Sequence, residues 1–459
     1  MNLPAKFIQR LRDQKYIDAT SLQDAFLGKS PASIRINDVK WQRKPAGSEQ
    51  VPWCRNGFYL GERPSYTLDP LYHAGCYYPQ EASGMFIEHI FRSLFGKGEK
   101  LKILDLCGAP GGKSTHLSSL ALPDGYIVAN EVIRSRAKIL AENIAKWGNS
   151  NTIVTQNDPS AFRNLEGFFD LMLIDAPCSG EGMFRDPVAV REWSEENALL
   201  CSERQKRILM DAWPSLKEGG VLIYSTCTFN PAENEHNIKW ITEKQEAESV
   251  RINISAYTNV TEIEHKGVYG YGFYPGRVKG EGLFAAVLKK RGKTTKKLIY
   301  SNIKSDICLS KSEYISINRL ININNGNIIK TGNGIFKIPC ELSDYNFLVR
   351  FLRIVSPGTK IFTVKGNDYL PSHELALSSQ MGKSSYPVCE LDYENAIAYL
   401  QRGNLNINER FEGWFVASWL GASMGFAKNI GHRINNYWPV EWRIRMQGST
   451  TGGNPVRWV

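Results

Sequence analysis

Between residues 101 and 225, five short apolar runs alternate with amphipathic stretches, and this alternation restricts the fold more than any other feature of the chain. The runs are Leu101–Cys107, Tyr126–Glu131, Thr152–Thr155, Leu171–Asp175 and Val221–Ser225. Lys113–Leu120, Ser135–Trp147 and Ser202–Leu216 read as helices between them, the second with Ala137, Leu140, Ile144 and Trp147 on one side. Apolar strands joined by helical crossovers build a mostly parallel sheet with helices on both faces. Ligands in such sheets sit at the carboxyl ends of the strands. Gly108, Glu131, Asp158, Asp175 and Thr226 all fall just past strand ends, so they are expected to cluster.

At 459 residues the chain exceeds one compact core and divides further. Residues 1–98 open with an amphipathic segment around Phe7, Ile8 and Leu11. They continue into an aromatic, turn-rich stretch (Trp53, Phe58, Tyr59, Tyr77, Tyr78) near Arg35, Arg55 and Arg63. Such aromatics either stack on unpaired bases or pack internally. The catalytic-type pattern spans 99–290, a Lys-, Ser- and Asn-rich linker is expected over 291–325, an intermediate domain over 326–388, and a small β domain over 389–459. From Arg291 onward there are 21 Lys/Arg against 12 Asp/Glu; subtracting from totals of 56 and 46 leaves 35 and 34 for residues 1–290. The basic excess therefore sits in the last third, together with Trp414, Trp419, Lys428, Arg433, Asn435, Asn436, Tyr437, Arg443 and Arg445, a composition suited to RNA. Nine cysteines without CxxC spacing suggest neither a disulfide framework nor a zinc site, and no run of about 18 apolar residues predicts a membrane span. A reducing cytoplasm is the expected compartment.

Cys107-Gly108-Ala109-Pro110-Gly111-Gly112-Lys113-Ser114 places cysteine where a P-loop needs its first glycine, and it also fails the dinucleotide pattern. What remains is a backbone able to approach a ligand at a helix N-terminus. Glu131 follows about 20 residues later, where an acid accepts from ribose hydroxyls. Asp158 ends the third strand and offers an acceptor for an adenine amino group. An adenosyl ligand such as S-adenosylmethionine fits this order. Cys178 and Cys227 each close a strand beside the turn; spacing alone leaves their roles interchangeable, and a lone cysteine is more often an inert buried thiol.

Gly108-Ala109-Pro110-Gly111-Gly112-Lys113, Asp175-Ala176-Pro177-Cys178-Ser179-Gly180-Glu181-Gly182 and Ser225-Thr226-Cys227-Thr228 followed by Glu233-Asn234-Glu235 resemble the Nop/Sun family of RNA cytosine-5 methyltransferases, most of all its bacterial 16S rRNA branch. Ile34-Arg35-Ile36-Asn37, Gln80-Glu81-Ala82-Ser83, Gly280-Glu281-Gly282-Leu283-Phe284 and Pro371-Ser372-His373 are similar to that family too. The chain departs from it at Arg185-Asp186-Pro187 and lacks a histidine near Tyr274-Pro275-Gly276-Arg277. The resemblance implies a Rossmann-like S-adenosylmethionine-dependent core with an N-terminal α/β RNA-binding region and a C-terminal extension ending in a PUA-like β domain. It assigns attack on cytosine C6 to Cys227, since a thiolate there makes the weakly nucleophilic C5 enamine-like. It assigns product release to Cys178, contact with the base edge to Asp175, and local charge to Lys113. Cofactor binding is expected at Cys107, Gly108, Ala109, Pro110, Gly111, Gly112, Lys113, Glu131, Arg136, Asp158 and Asp175, with no metal. The implied partner is RNA, 16S rRNA within or outside the small subunit, with no membrane and no obligate protein partner. Transfer RNA as substrate, and a non-catalytic RNA-binding assembly factor, stay open as alternatives.

Overall fold

The computed structural model describes residues 3–293, 309, 311–318, 327–366, 368–382, 385–407, 411–446 and 455–459. Most of the expected linker over 291–325 lies outside the described residues; a helix, Lys311–Asn318, is described within it.

Five parallel strands form the centre: Lys102–Asp105, Tyr126–Asn130, Thr152–Thr155, Phe169–Asp175 and Leu216–Thr226. The first strand lies in the middle, with the second and third to one side and the fourth and fifth to the other. The chain thus reverses its direction of winding at the first strand, and a crevice opens at that strand's carboxyl end. Ile103, Leu104, Ile127, Val128, Ile153, Val154, Leu171 and Met172 are fully buried, which is why these runs read as continuously apolar rather than alternating. Helices Gly112–Leu120, Arg134–Trp147 and Glu195–Ala212 cover the sheet. The third of these starts earlier than its apolar spacing suggested, because Ser194 caps it by accepting from Asn197 N at 3.0 Å.

The sheet is mixed at its edges. Thr261–His265, Val268–Phe273 and Leu283–Lys290 extend it antiparallel beyond the fifth strand. At the opposite edge Ile354–Ser356 pairs antiparallel with Thr152–Thr155, so a strand from the expected intermediate domain completes the central sheet. Further strands between Ile328 and Pro371 make a four-stranded sheet, and a second forms between Val388 and Asn436.

The N-terminal segment contributes helices Ala5–Arg12 and Ala19–Leu27 and an antiparallel sheet around Ala32–Ile36. Phe7, Leu11, Leu22 and Phe26 enter the main core, Phe7 meeting the Phe184 ring edge-on at 4.8 Å. The aromatics Trp53, Phe58, Tyr59 and Tyr77 are buried, so for these packing and not base stacking is the outcome. Arg35 is buried as well: its guanidinium lies 4.2 Å from the Trp147 ring and donates to Gln80 Oε1 and Thr115 Oγ1. Cys54, Glu88 and His116 bring three ligand-type atoms within 4.8 Å of one another. Their bonds close on themselves: the thiol donates to Glu88 Oε2 at 3.1 Å, the imidazole meets the same oxygen at 3.0 Å, and Arg92 holds the other oxygen. Burial and the nearby Arg35 charge push His116 down to about 4, which leaves it neutral in this join. Among the described residues no helix is long and apolar enough to cross a membrane.

Candidate active site

After Asp105 the chain turns through Leu106–Gly111 into the helix starting at Gly112. Gly111 has φ +124°, a conformation L side chains rarely adopt. At Gly108 an added Cβ would lie 2.8 Å from Ser114 Oγ and 3.3 Å from Leu140, so this position needs glycine for close packing. The turn is braced from the neighbouring strand and helix: Gly108 N donates to Asn130 O at 2.7 Å, Arg136 to Ala109 O at 2.9 Å, and Asn143 Nδ2 to Pro110 O at 2.8 Å. Glu131 is buried, accepts from Ile133 N at 2.9 Å, and lies 3.4 Å from Arg136.

Beneath the turn, Asp105 accepts from Ser114 Oγ at 2.6 Å through Oδ2, while Oδ1 is buried with no partner. Burial pushes its carboxyl up to about 7, against the Ser114 bond and helped by the Asp175 charge. Asp105 lies in the wall of a cavity of about 230 Å³ that Tyr78, Cys107, Gly108, Lys113 and Cys227, among others, also line. Lys113 crosses this cavity to Asp175 at 2.8 Å, and Ser225 donates to the other Asp175 oxygen at 2.7 Å. Burial alone would lower the Lys113 pKa, but the Asp175 charge and bond outweigh it and raise it.

The two cysteines meet because their strands do. Asp175 and Ser225 are partners in the parallel register; three residues beyond one and two beyond the other lie Cys178 and Cys227. Their sulfurs are 3.2 Å apart, and Cys227 N points at Cys178 Sγ at 3.3 Å. The contact with Cys227, then burial, then the charges of Cys227 and Glu233 hold the Cys178 thiol well above its ordinary range.

Of the residues expected from sequence, Cys107, Gly108, Ala109, Pro110, Gly112, Lys113, Asp175 and Cys227 line the cavity. Gly111, Glu131 and Arg136 shape or brace the turn from behind, and Cys178 backs Cys227. Asp158 stands apart: it accepts from Ser160 N at 3.0 Å as a cap and lies 3.4 Å from Arg207. The motif Asp158-Pro159-Ser160 carries that capping signal in the sequence. Sequence reasoning passed over Asp105 and Met183 and read Tyr78 only as one of the N-terminal aromatics; all three line the cavity. It noted the Gln80-Glu81 and Glu281-Gly282 segments without placing them here, although both form part of its wall. Glu81 joins them, accepting from Ser83 N, Gly84 N and Glu281 N at 2.8–2.9 Å.

A doubly wound sheet with a glycine turn at its switch point, an acid at the next strand end and a facing thiol pair beside them define a Rossmann-like methyltransferase. Solved structures share the fold: a methyltransferase homologue from Pyrococcus horikoshii matches with a TM-score of 0.51 and 25% identity over 63% of this chain and 100% of that one. NSun6 from Pyrococcus horikoshii with SFG matches with a TM-score of 0.51 at 20% identity, over 63% of this chain and 97% of that one. The chain belongs to the 16S rRNA methyltransferase RsmB/F family, whose description matches residues 94–289. The N-terminal domain of 16S rRNA methyltransferase RsmF matches residues 3–82, and the methyltransferase RsmF PUA domain matches 386–444. Ribosomal RNA small subunit methyltransferase F of Aliivibrio salmonicida is 30% identical over 430 residues, covering 89% of this chain and 87% of that protein. The protein of the same name from Shewanella piezotolerans is 29% identical over 432 residues, covering 89% and 90%.

Proposed function

We propose that this protein is an S-adenosylmethionine-dependent methyltransferase that modifies cytosine C5 in 16S rRNA, and that Cys227 attacks the base while Cys178 releases it. The observation that carries this reading is the thiol pair, 3.2 Å apart, beside the Lys113–Asp175 ion pair on the wall of the turn cavity. A non-catalytic assembly factor would have no use for two facing thiols beside a lysine–carboxylate pair.

The residues present fit S-adenosylmethionine. The unpartnered Asp105 oxygen offers an acceptor for a cationic group, Gly108 brings the backbone to the cavity wall, and Glu131 at the next strand end supplies an acceptor for ribose hydroxyls, whereas Asp158, occupied by Ser160 and Arg207, stands outside this set. When bound, that cofactor supplies the methyl group; everything else falls to the chain's own residues. Asp175, held by Ser225 and Lys113, is fixed to meet the polar edge of cytosine. The Lys113 ammonium favours negative charge nearby, which assists the Cys227 thiolate. As the Cys227 Sγ–C6 bond forms, an electron pair moves to C5, which becomes the nucleophile. After C5 has been methylated, loss of its proton to a base re-forms the C5–C6 double bond and breaks the Sγ–C6 bond, returning the electron pair to Cys227. Cys178 stands nearest to that leaving sulfur. A base in such a pocket must be out of any stack. The basic C-terminal third, with Lys428, Arg433 and Tyr437, supplies sequence-independent grip on the RNA backbone.

The test is transfer of labelled methyl to small subunits from cells lacking the protein. Cys227→Ala is expected to give neither methylation nor adduct. Cys178→Ala is expected to accumulate a denaturation-resistant protein–RNA adduct. Absence of transfer to any rRNA by the wild type overturns the reading, and exchanged behaviour of the two variants overturns the roles of the thiols.

A further inference from the structure

Two buried carboxylates tie the loop after Asp175 to the loop after Thr226. Glu181, on the first loop, accepts from Phe229 N on the second at 3.2 Å and is held by Arg10 at 2.5 Å and Trp193 Nε1 at 2.9 Å. Glu233 reaches back in the other direction. Its Oε2 accepts from Ser179 N at 2.9 Å and from Gln205 Nε2 at 3.0 Å. Its Oε1 takes the Ser179 hydroxyl and the Thr228 hydroxyl, the latter at 3.3 Å. Ser179 follows Cys178 in the chain and Thr228 follows Cys227, so one carboxylate grips the neighbour of each thiol.

Glu233 is fully buried, and the hydrogen bonds it accepts come from neutral groups: an amide N–H, two hydroxyls and a carboxamide. A buried charge without a cation is costly, and a well-packed neutral group would join two loops at less expense. Its location explains why it is kept. Three of the four bonds it accepts come from the two loops and the fourth from Gln205 on the helix Glu195–Ala212, and its charge acts on Cys178 in the sense that keeps the proton on that thiol.

We propose that Glu233 is the positioning residue of the thiol pair: by holding Ser179 and Thr228 on one carboxylate it sets the approach of Cys178 to Cys227, and so sets release relative to attack. This rests on the reading that Cys227 attacks and Cys178 releases. Glu233 touches neither base nor cofactor; it acts through the two loops.

The experiment uses the full chain, labelled S-adenosylmethionine and small subunits from cells lacking the protein. It measures methyl transfer in the first turnover, steady-state turnover, and the fraction trapped as adduct. In Glu233→Ala first-turnover transfer stays within about threefold of wild type, while turnover falls about tenfold and adduct accumulates in proportion. Glu233→Gln keeps an acceptor for Ser179 N and restores turnover to within about threefold. If Glu233→Ala does not bind cofactor, Ser179→Ala decides by the same readouts, with a smaller gain in adduct. First-turnover transfer and release falling by the same factor, or adduct unchanged in all variants, overturns the proposal. Cys178→Ala in parallel separates the two levels: adduct there with none in the Glu233 variants sinks only the positioning role, whereas none in Cys178→Ala sinks the reading beneath it.

Discussion

Asp105 shows how a residue at a strand end can be ordinary in sequence and unusual in place. Nothing in Ile103-Leu104-Asp105-Leu106 distinguishes its acid from a solvated one, since burial arises only when the turn closes over it. Cys178 and Cys227 were legible because each carries a motif; Asp105 carries none. Its folded pKa, raised to about 7, sits above its unfolded value, so the protonated form favours the fold. The stabilisation is fully present below the unfolded value near 4 and is lost as pH rises through about 7, a change of roughly 4 kcal/mol for an isolated group. Asp105→Asn, which keeps a neutral side chain of the same shape, should therefore melt somewhat above wild type at pH 5 and by several degrees more at pH 8, in the absence of cofactor. The same variant should bind S-adenosylmethionine at least about tenfold more weakly, because the buried acceptor for a cation is gone. Thermal melts at the two pH values and a calorimetric titration check both halves. Equal melting shifts at pH 5 and pH 8 would show that the carboxyl does not titrate in this range.

At the level of elements, the helix Arg134–Trp147 connects the site to the rest of the chain. Its apolar face, Ala137, Leu140, Ile144 and Trp147, was readable from spacing, and all four are buried. Its two ends were not readable, since their partners lie far away in sequence. Arg136 near its N-terminal end and Asn143 in its second half hold the glycine turn. At the C-terminal end Trp147 O accepts from Asn37 Nδ2 at 2.8 Å and Lys146 O from Lys40 at 2.6 Å, so side chains from the N-terminal region satisfy carbonyls that a helix end leaves open. Gly148 then takes φ +80°, and an added Cβ would meet Leu377 O at 2.2 Å, which lets the C-terminal part approach the same helix end. Asn37 is fully buried and also donates to Gly75 O at 3.1 Å. Asn37→Ala leaves two buried carbonyls without that donor and should cost about 2 kcal/mol. Urea unfolding of the variant should show a lower midpoint with an unchanged slope, and a shift under about 0.5 kcal/mol would mean that water replaces the amide.

The whole molecule is joined more closely than its sequence pattern suggests. Residues 1–98 and 389–459 read as separate regions, each with an apolar strand face but no visible partner for it. In the structure each is the other's partner: Ile34, Leu71 and Tyr77 share one core with Leu391, Tyr399, Phe415 and Trp438. Polar links follow the same seam, with Tyr393 donating to Leu68 O at 2.9 Å and Val456 N to Asp69 Oδ2 at 3.0 Å. Alternation along a strand reports that one face is buried and is silent about what buries it. The parallel core could be read because its strands and helices are neighbours in sequence; this seam closes over more than 300 residues. The joint consequence is cooperativity. Trp438 is fully buried against Tyr399, His73, His373 and Trp442. Trp438→Ala should cost about 3–5 kcal/mol through lost contacts and the cavity left behind. If the two ends of the chain fold as one unit, that loss lowers hydrogen-exchange protection in Ala32–Ile36 and Gly57–Leu60 as much as in Gly413–Trp419, although the first two strands are remote in sequence from the mutation. Protection lost in Gly413–Trp419 alone would mean that the C-terminal sheet opens by itself, and that the seam positions that sheet without supporting the N-terminal one.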